Sequence, residues 1–381
     1  MRSEPKYKTL MKIPDLPTPS LLVDRDRLTT NIARMHDQAE RLGVQLRPHL
    51  KTAKSAAVCA LATANGRDGI TVSTLREAEY FAGHGVVDIT YAVGIVPSKL
   101  AQAAQLMENG VRLKIITDSA DVASAICAHG APFDVLVEID CGDERAGVQA
   151  DGAELTAISG AFTPDTKATL SGVLTHAGHS YGVNSNAAIM QIAREERDAV
   201  VLAAERLRHL GHRVTTVSAG STPTALMLDD ASGLTELRAG VYMFFDLDQQ
   251  SRSICQREDI ALSVLASVIG HNRTAKKLLL DSGGLALSKD TGANAFRPDV
   301  GYGEVCDAST CVPFPGLYVS SVSQEHGHVV VSSESTFQQL PVGAKVRILP
   351  NHACMTAAAY DRYHVLDGIN VVEQWDRTNG W

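Results

Sequence analysis

The sequence predicts an α/β protein: a (β/α)8 barrel followed by a second, mostly-β domain. Three observations carry that expectation. Strand-then-helix units recur through the first two-thirds of the chain, about eight of them at intervals of ~20–30 residues. Helical stretches stop at glycines such as Gly43, Gly83, Gly110 and Gly211, as helices that end in a left-handed residue do. Beyond about residue 250 the helical period disappears, and short β-type runs alternate with Gly, Pro and Asn. The unit count and a length of ~225 residues favour a barrel over an open doubly wound sheet. No Gly-x-Gly-x-x-Gly follows the first strand, which argues against a dinucleotide site.

The elements follow in order. A short apolar strand is expected over 20–23. The next segment, 24–42, places Leu28, Ile32, Met35, Ala39 and Leu42 at helical spacing. The unit then repeats as strand 44–47 with helix 55–65, strand 69–72 with helix 75–81, and strand 88–93 with helix 98–108. Further on come strand 112–117 with helix 120–128, strand 133–139 with helix 152–161, and strand 169–175 with a long helix over 187–210. Strand 214–218 closes the series, and β-type runs at 234–238 and 241–245 come just after it. Unbroken apolar runs such as Val135-Leu136-Val137 fit strands covered on both faces. In the last third, strands are expected at 261–269, 277–281, 316–319, 328–331 and 345–348. The expected division is a barrel over 25–250 and a β domain built from 1–24 and 251–381.

Composition narrows the function classes. The chain has 381 residues, 45% hydrophobic and 20% charged, which excludes disordered and fibrous classes. A net charge of −8 offers no footprint for nucleic acid or an anionic membrane. The seven cysteines are scattered, without zinc-finger or thioredoxin spacing, as expected of a reducing compartment. The first twenty residues lack a signal peptide's apolar core, and no apolar run reaches the ~20 residues that span a bilayer. The expectation is a cytoplasmic enzyme.

In a barrel, chemistry sits at the C-terminal ends of the strands. That rule selects five segments. Arg47-Pro48-His49-Leu50-Lys51 puts a lysine at the mouth, with Arg47, His49 and Lys54 as neighbouring positive charge. Lys51 there is an imine-forming nucleophile, or else part of a basic surface loop. Ser218 to Thr224, with Ala239 to Tyr242, combines small residues and hydroxyls that suit a phosphate, or form an ordinary turn. His176 and Tyr181 follow another strand; the imidazole could pack on a flat ring or be a loop histidine. Arg145 stands among carboxylates, where it orients an anionic oxygen or makes a structural ion pair. Finally, His352 and Cys354 are two apart; on an extended strand both would face one metal ion as a nitrogen–thiolate pair of zinc type. His326 offers another imidazole, in what reads as a loop.

Together these segments resemble the fold-type III pyridoxal-phosphate (PLP) enzymes, the group of alanine racemase and eukaryotic-type D-serine dehydratase. The resemblance is strongest to the branch of D-serine dehydratase, D-threo-3-hydroxyaspartate dehydratase and D-threonine aldolase. It runs through TPSLLVDRDRL, RPHLKTAKS, GITVSTLREAEYF, VEIDCGDERAGV, GVLTHAGHSY, VSAGSTPTAL, TELRAGVYMFFD, EHG and ILPNHAC, nearly the whole chain. It implies that Lys51 is the Schiff-base lysine, that Arg145 bonds the cofactor's phenolic oxygen, and that His176 lies beside the pyridine ring. Tyr181 would face the ring nitrogen. Gly220, Ser221, Thr222, Gly240 and Tyr242 would form the phosphate cup, and His352 and Cys354 would be the metal ligands. It also implies a homodimer. The aldolases of this group typically carry His-x-Asp where this chain has His-x-Cys, the dehydratase form, and a thiolate suits Zn²⁺. The resemblance therefore implies a PLP- and zinc-dependent dehydratase of D-serine or D-threo-3-hydroxyaspartate. Lys51 would take the α-proton, and the metal would act on the β-hydroxyl. The alternative is an aldolase that releases glycine and an aldehyde.

Overall fold

A computed structural model describes residues 11–63 and 68–381. The first ten residues, read above for a leader, and the end of the helix expected over 55–65 lie outside the described residues. The chain divides into two compact units. One comprises 31–243, 252–254 and 378–381; the other comprises the residues up to 30, 244–251 and 255–377.

The first unit holds eight parallel strands on one path among the described residues. Across the sheet they run Gln45–Leu46, Glu236–Leu237, Thr216–Ala219, Thr169–Thr175, Asp134–Asp140, Arg112–Thr117, Asp88–Tyr91 and Ile70–Val72. The two end strands meet. Beyond Leu46, His49 bridges Thr71 in parallel, the Thr71 N–H donates to the Pro48 carbonyl at 2.9 Å, and the Leu50 N–H donates to the Thr71 carbonyl at 2.8 Å. The sheet is thus closed, as the (β/α)8 expectation requires. Val135, Leu136 and Val137 have no exposed surface, and Leu136 packs with Ile116 and Leu174. Helices start where a hydroxyl caps an otherwise orphaned N–H: Thr74 for Leu75–Gly83, Ser119 for Ala120–His129, Ser185 for Asn186–His209.

Three expectations change. The strand over 20–23 exists as Ser20–Asp24, but it lies in the other unit, antiparallel to Leu262–Asn272 and parallel to Arg362–Asp367. The eighth barrel strand is Glu236–Leu237 instead. The run at 241–245 opens with a 3-10 turn, Val241–Met243, because the chain folds back on Gly240. Arg47, counted among the charges around Lys51, is buried in ion pairs with Glu236 (2.7 Å) and Asp88 (2.8 Å). Two carboxylates repay the desolvation of its guanidinium, so its charge is spent there.

The second unit is a ten-stranded sheet. Six of its strands close on themselves: Leu262–Asn272 pairs with Lys277–Leu280 at one end and with Lys345–Leu349 along the other half of its length. Gly327–Val330, Pro313–Val322 and Glu304–Asp307 complete the ring. The remaining strands extend through Ser20–Asp24 to the hairpin Arg362–Asp367 and Asn370–Asp376. Ile13, Leu16, Leu22, Leu265, Leu366 and Val371 form one apolar cluster beneath it.

Candidate active site

The barrel's C-terminal end carries most of the residues singled out from the sequence; His352 and Cys354 lie in the other unit. Lys51 lies in the turn after the first strand with its side chain exposed. Its ammonium is close enough to depress two histidines. Burial first, then Lys51, pull His49 well below the ordinary imidazole range. The same two causes, in the same order, pull His176 down to about 3. Part of each ring stays accessible at the mouth, but the crowding of protein around the ring still makes desolvation the leading cause. His176 is therefore neutral near pH 7. Its Nδ1 stands 3.2 Å from the Gly220 carbonyl, which can only accept, so Nδ1 carries the proton and Nε2 keeps its lone pair.

Arg145 adds positive potential at the same place, since it too lowers His176. Its contacts with Glu138 (3.6 Å) and Asp143 (3.9 Å) are loose, and about half its side chain is exposed. Donors remain available for an anionic oxygen. Glu138 is held up first by burial and pulled back by Arg145. Tyr181 sits on the 3-10 turn Gly178–Gly182, its ring 6.5 Å from that of His176. The Arg252 guanidinium lies 5.9 Å from its ring centroid and donates to its carbonyl at 2.7 Å.

The small-residue loops follow. Gly220 has φ +127°, and a Cβ there would stand 2.6 Å from the Arg238 carbonyl. A Cβ on Gly240 would stand 2.8 Å from the His49 carbonyl. Both positions need the bare backbone. The Ser221 hydroxyl is already in use: it caps the helix Thr222–Met227, accepting from the Thr224 N–H, and it contacts Ser180 at 3.0 Å. The Thr222 hydroxyl accepts from the Tyr242 N–H at 3.2 Å. The Tyr242 hydroxyl is buried without a hydrogen-bond partner in the structure. A buried orphan donor beside two bare-backbone loops fits an anionic group such as a phosphate.

In the other unit, His352 and Cys354 touch: their side chains are hydrogen-bonded. The reason differs from the one the spacing suggested. The strand ends at Leu349, His352 is the extended residue just before the helix Ala353–Ala357, and Cys354 is in its first turn. A strand-to-helix turn, not strand alternation, brings the pair together. The Asp290 carboxylate lies 2.7 Å from His352 Nδ1 and orients the ring. Burial pulls His352 down, but Asp290 and Cys354 outweigh it and carry the imidazole up to about 11. Among the described residues no group of three His, Cys, Asp or Glu is arranged around one point. The pair alone fits a two-ligand centre of borderline-soft character with open positions. Among the described residues no disulfide joins any of the seven cysteines, and no helix is long and apolar enough to cross a membrane.

Three residues at these places were not singled out from the sequence: Arg238, Glu196 and Asp290. Arg238 is buried, donating to Ser218 Oγ at 3.0 Å and to the Thr175 carbonyl. Glu196 had a legible signal. It stands in helical register with Ile189, Ile192, Val200 and Leu207, all buried, although its neighbours in sequence are charged. Asp290 had none.

Comparison with known proteins agrees with the geometry. A family model described as the alanine racemase N-terminal domain matches residues 23–248, and one described as a putative serine dehydratase domain matches 261–366. D-threo-3-hydroxyaspartate dehydratase of Delftia sp. (strain HT23) is 44% identical over 374 residues, covering 96% of this chain and 98% of that protein. D-serine dehydratase of Dictyostelium discoideum is 31% identical over 389 residues, covering 94% and 96%. Among solved structures, a cysteine-to-alanine mutant of D-threo-3-hydroxyaspartate dehydratase in the metal-free form superposes with a TM-score of 0.94 at 43% identity, covering 97% of this chain and all of that one.

Proposed function

This chain belongs to the serine dehydratase family built on the alanine racemase-like barrel, and on that premise we propose that it is a PLP- and zinc-dependent dehydratase of D-β-hydroxy amino acids. D-threo-3-hydroxyaspartate and D-serine are the substrates we assign to it, with a 2-oxo acid and ammonia as products. The observation that carries this reading is the hydrogen-bonded pair of His352 and Cys354, a thiol where a carboxylate would suit a harder ion. The similarity to dehydratases over nearly the whole chain supports the same choice.

When bound, PLP withdraws electrons from the substrate's α-carbon and the metal polarises its β-hydroxyl as a leaving group. The chain's own residues do the rest. Lys51 would hold the cofactor through its Nζ, and the same amine would take the substrate's α-proton. Arg145 holds an anionic ring oxygen. His176 presents a neutral imidazole, its Nδ1–H fixed on the Gly220 carbonyl. Gly220 and Gly240 let the backbone approach the phosphate, Ser221 and Thr222 brace that loop, and the orphan Tyr242 hydroxyl donates to it. Tyr181 closes the ring site beside His176. His352 and Cys354 would hold the metal, with Asp290 orienting the imidazole. The net change is loss of water, then hydrolysis of the resulting enamine to oxo acid and ammonia. A homodimer in the cytoplasm, with a barrel domain over 25–250, completes the proposal.

The purified protein, loaded with PLP and zinc, is incubated with D-serine, D-threonine, D-threo-3-hydroxyaspartate and their L forms. Ammonia and oxo acid from the D forms alone support the reading. Glycine with an aldehyde replaces it with the aldolase, and turnover of the L forms removes the stereochemical claim.

A further inference from the structure

One buried acid near the barrel mouth has no role in the mechanism above. Glu196 stands on the helix Asn186–His209, in the charged run Arg194-Glu195-Glu196-Arg197. Of the four, Glu196 alone is fully buried, 2% exposed. One oxygen, Oε1, accepts two backbone N–H groups from two different loops: Ala177 at 2.8 Å and Gly220 at 3.0 Å. The Thr224 side chain also hydrogen-bonds the carboxyl. Ala177 is the residue after His176, and Gly220 opens the small-residue loop. The circuit closes through His176, whose Nδ1–H donates to the Gly220 carbonyl.

The placement is unusual for its charge. A carboxylate next to a phosphate site repels the ligand, so its presence there calls for another role. Burial pushes this carboxyl up, and the hydrogen bonds from Thr224, Ala177 and Gly220 pull it back. Its geometry says what it does: it ties the end of the sixth strand to the end of the seventh. It also takes up the Gly220 N–H. We propose that Glu196 is the positioning residue that sets the His176 imidazole and the Gly220–Thr222 loop in register for the cofactor, touching neither cofactor nor substrate itself. This rests on reading the barrel mouth as a PLP site.

The test uses the full chain, stripped of PLP and retitrated, in wild type, Glu196→Ala, Glu196→Gln and Glu196→Asp. The readouts are PLP Kd, the visible absorption maximum of the bound cofactor, and the thermal midpoint of the apo protein. Glu196→Ala is expected to weaken PLP binding by about tenfold or more, as loss of an outer-layer orienting group does at comparable sites. The absorption band should move with it. Glu196→Gln keeps an oxygen for both N–H groups and should stay within about threefold of wild type. Glu196→Asp, one methylene shorter, should fall between them, and it keeps the test alive if the alanine variant does not fold. A folded Ala or Asp variant with wild-type Kd and band overturns the inference, as does a Gln variant as weak as Ala. A lowered thermal midpoint with unchanged Kd and band also overturns it, since that marks a purely structural group. If wild type itself takes up no PLP, and borohydride fixes none on Lys51, the functional reading falls along with it. If wild type binds and Glu196→Ala matches it, only the inference falls.

Discussion

His176 shows how much a single side chain reports. Its folded pKa, about 3, lies below the unfolded value of 6.5. The unfolded chain therefore binds the extra proton first as pH drops, and the stability His176 contributes is present above about pH 6.5 and lost as pH falls toward about 3. His49 is shifted in the same direction. Thermal melts of the apo protein between about pH 7.5 and about pH 4.5 should show a steeper loss for wild type than for His176→Gln. Parallel losses would mean the ring is not held neutral. On the proposed reading, Lys51 and Cys354 divide the chemistry between them. Lys51→Ala should lose the cofactor's visible band and all activity. Cys354→Ala should keep the band, lose bound zinc by metal analysis, and lose elimination by a factor of about a hundred or more. Full activity in zinc-stripped Cys354→Ala would remove the metal from the reaction.

At the scale of elements, the loops matter more than the helices and strands they join. Gly220 combines a positive φ with a Cβ position 2.6 Å from the Arg238 carbonyl. Gly220→Ala is expected to cost about 1–3 kcal/mol in urea unfolding and to weaken PLP binding as the loop shifts. Unchanged stability would show that the loop can relax around a Cβ. The periodic elements were legible in the sequence. The long helix expected over 187–210 is Asn186–His209, because its apolar residues recur at helical spacing. The sites between elements were legible only in part. The contact of His352 with Cys354 was expected from strand alternation and arises from a helix cap, a difference that two residues of spacing cannot reveal. Arg47 looked like part of a basic mouth because its partners, Glu236 and Asp88, are distant in sequence. The burial of Glu196 was legible from its helical register, but its partners, Ala177 and Gly220, were not, since they lie on other elements.

For the whole molecule, the sequence pattern gave the barrel and the β-rich remainder, but not which strand belonged to which. Ser20–Asp24 reads as the first of a βα series, yet its hydrogen bonds go to Leu262–Asn272 and Arg362–Asp367. Pairing over more than two hundred residues leaves no local trace. The barrel's first and last strands are only two residues each, and its closure depends on the His49–Thr71 bridge, so neither carries a period to read. The thiol–imidazole pair of His352 and Cys354, with the likeness to dehydratases, favours cleavage of a carbon–oxygen bond over a carbon–carbon bond. Product stoichiometry with D-threo-3-hydroxyaspartate tests that most directly. Elimination gives oxaloacetate and ammonia in equal amounts with no glycine, which is the result expected of the PLP- and zinc-loaded protein. Glycine and glyoxylate in equal amounts, without ammonia, would contradict it.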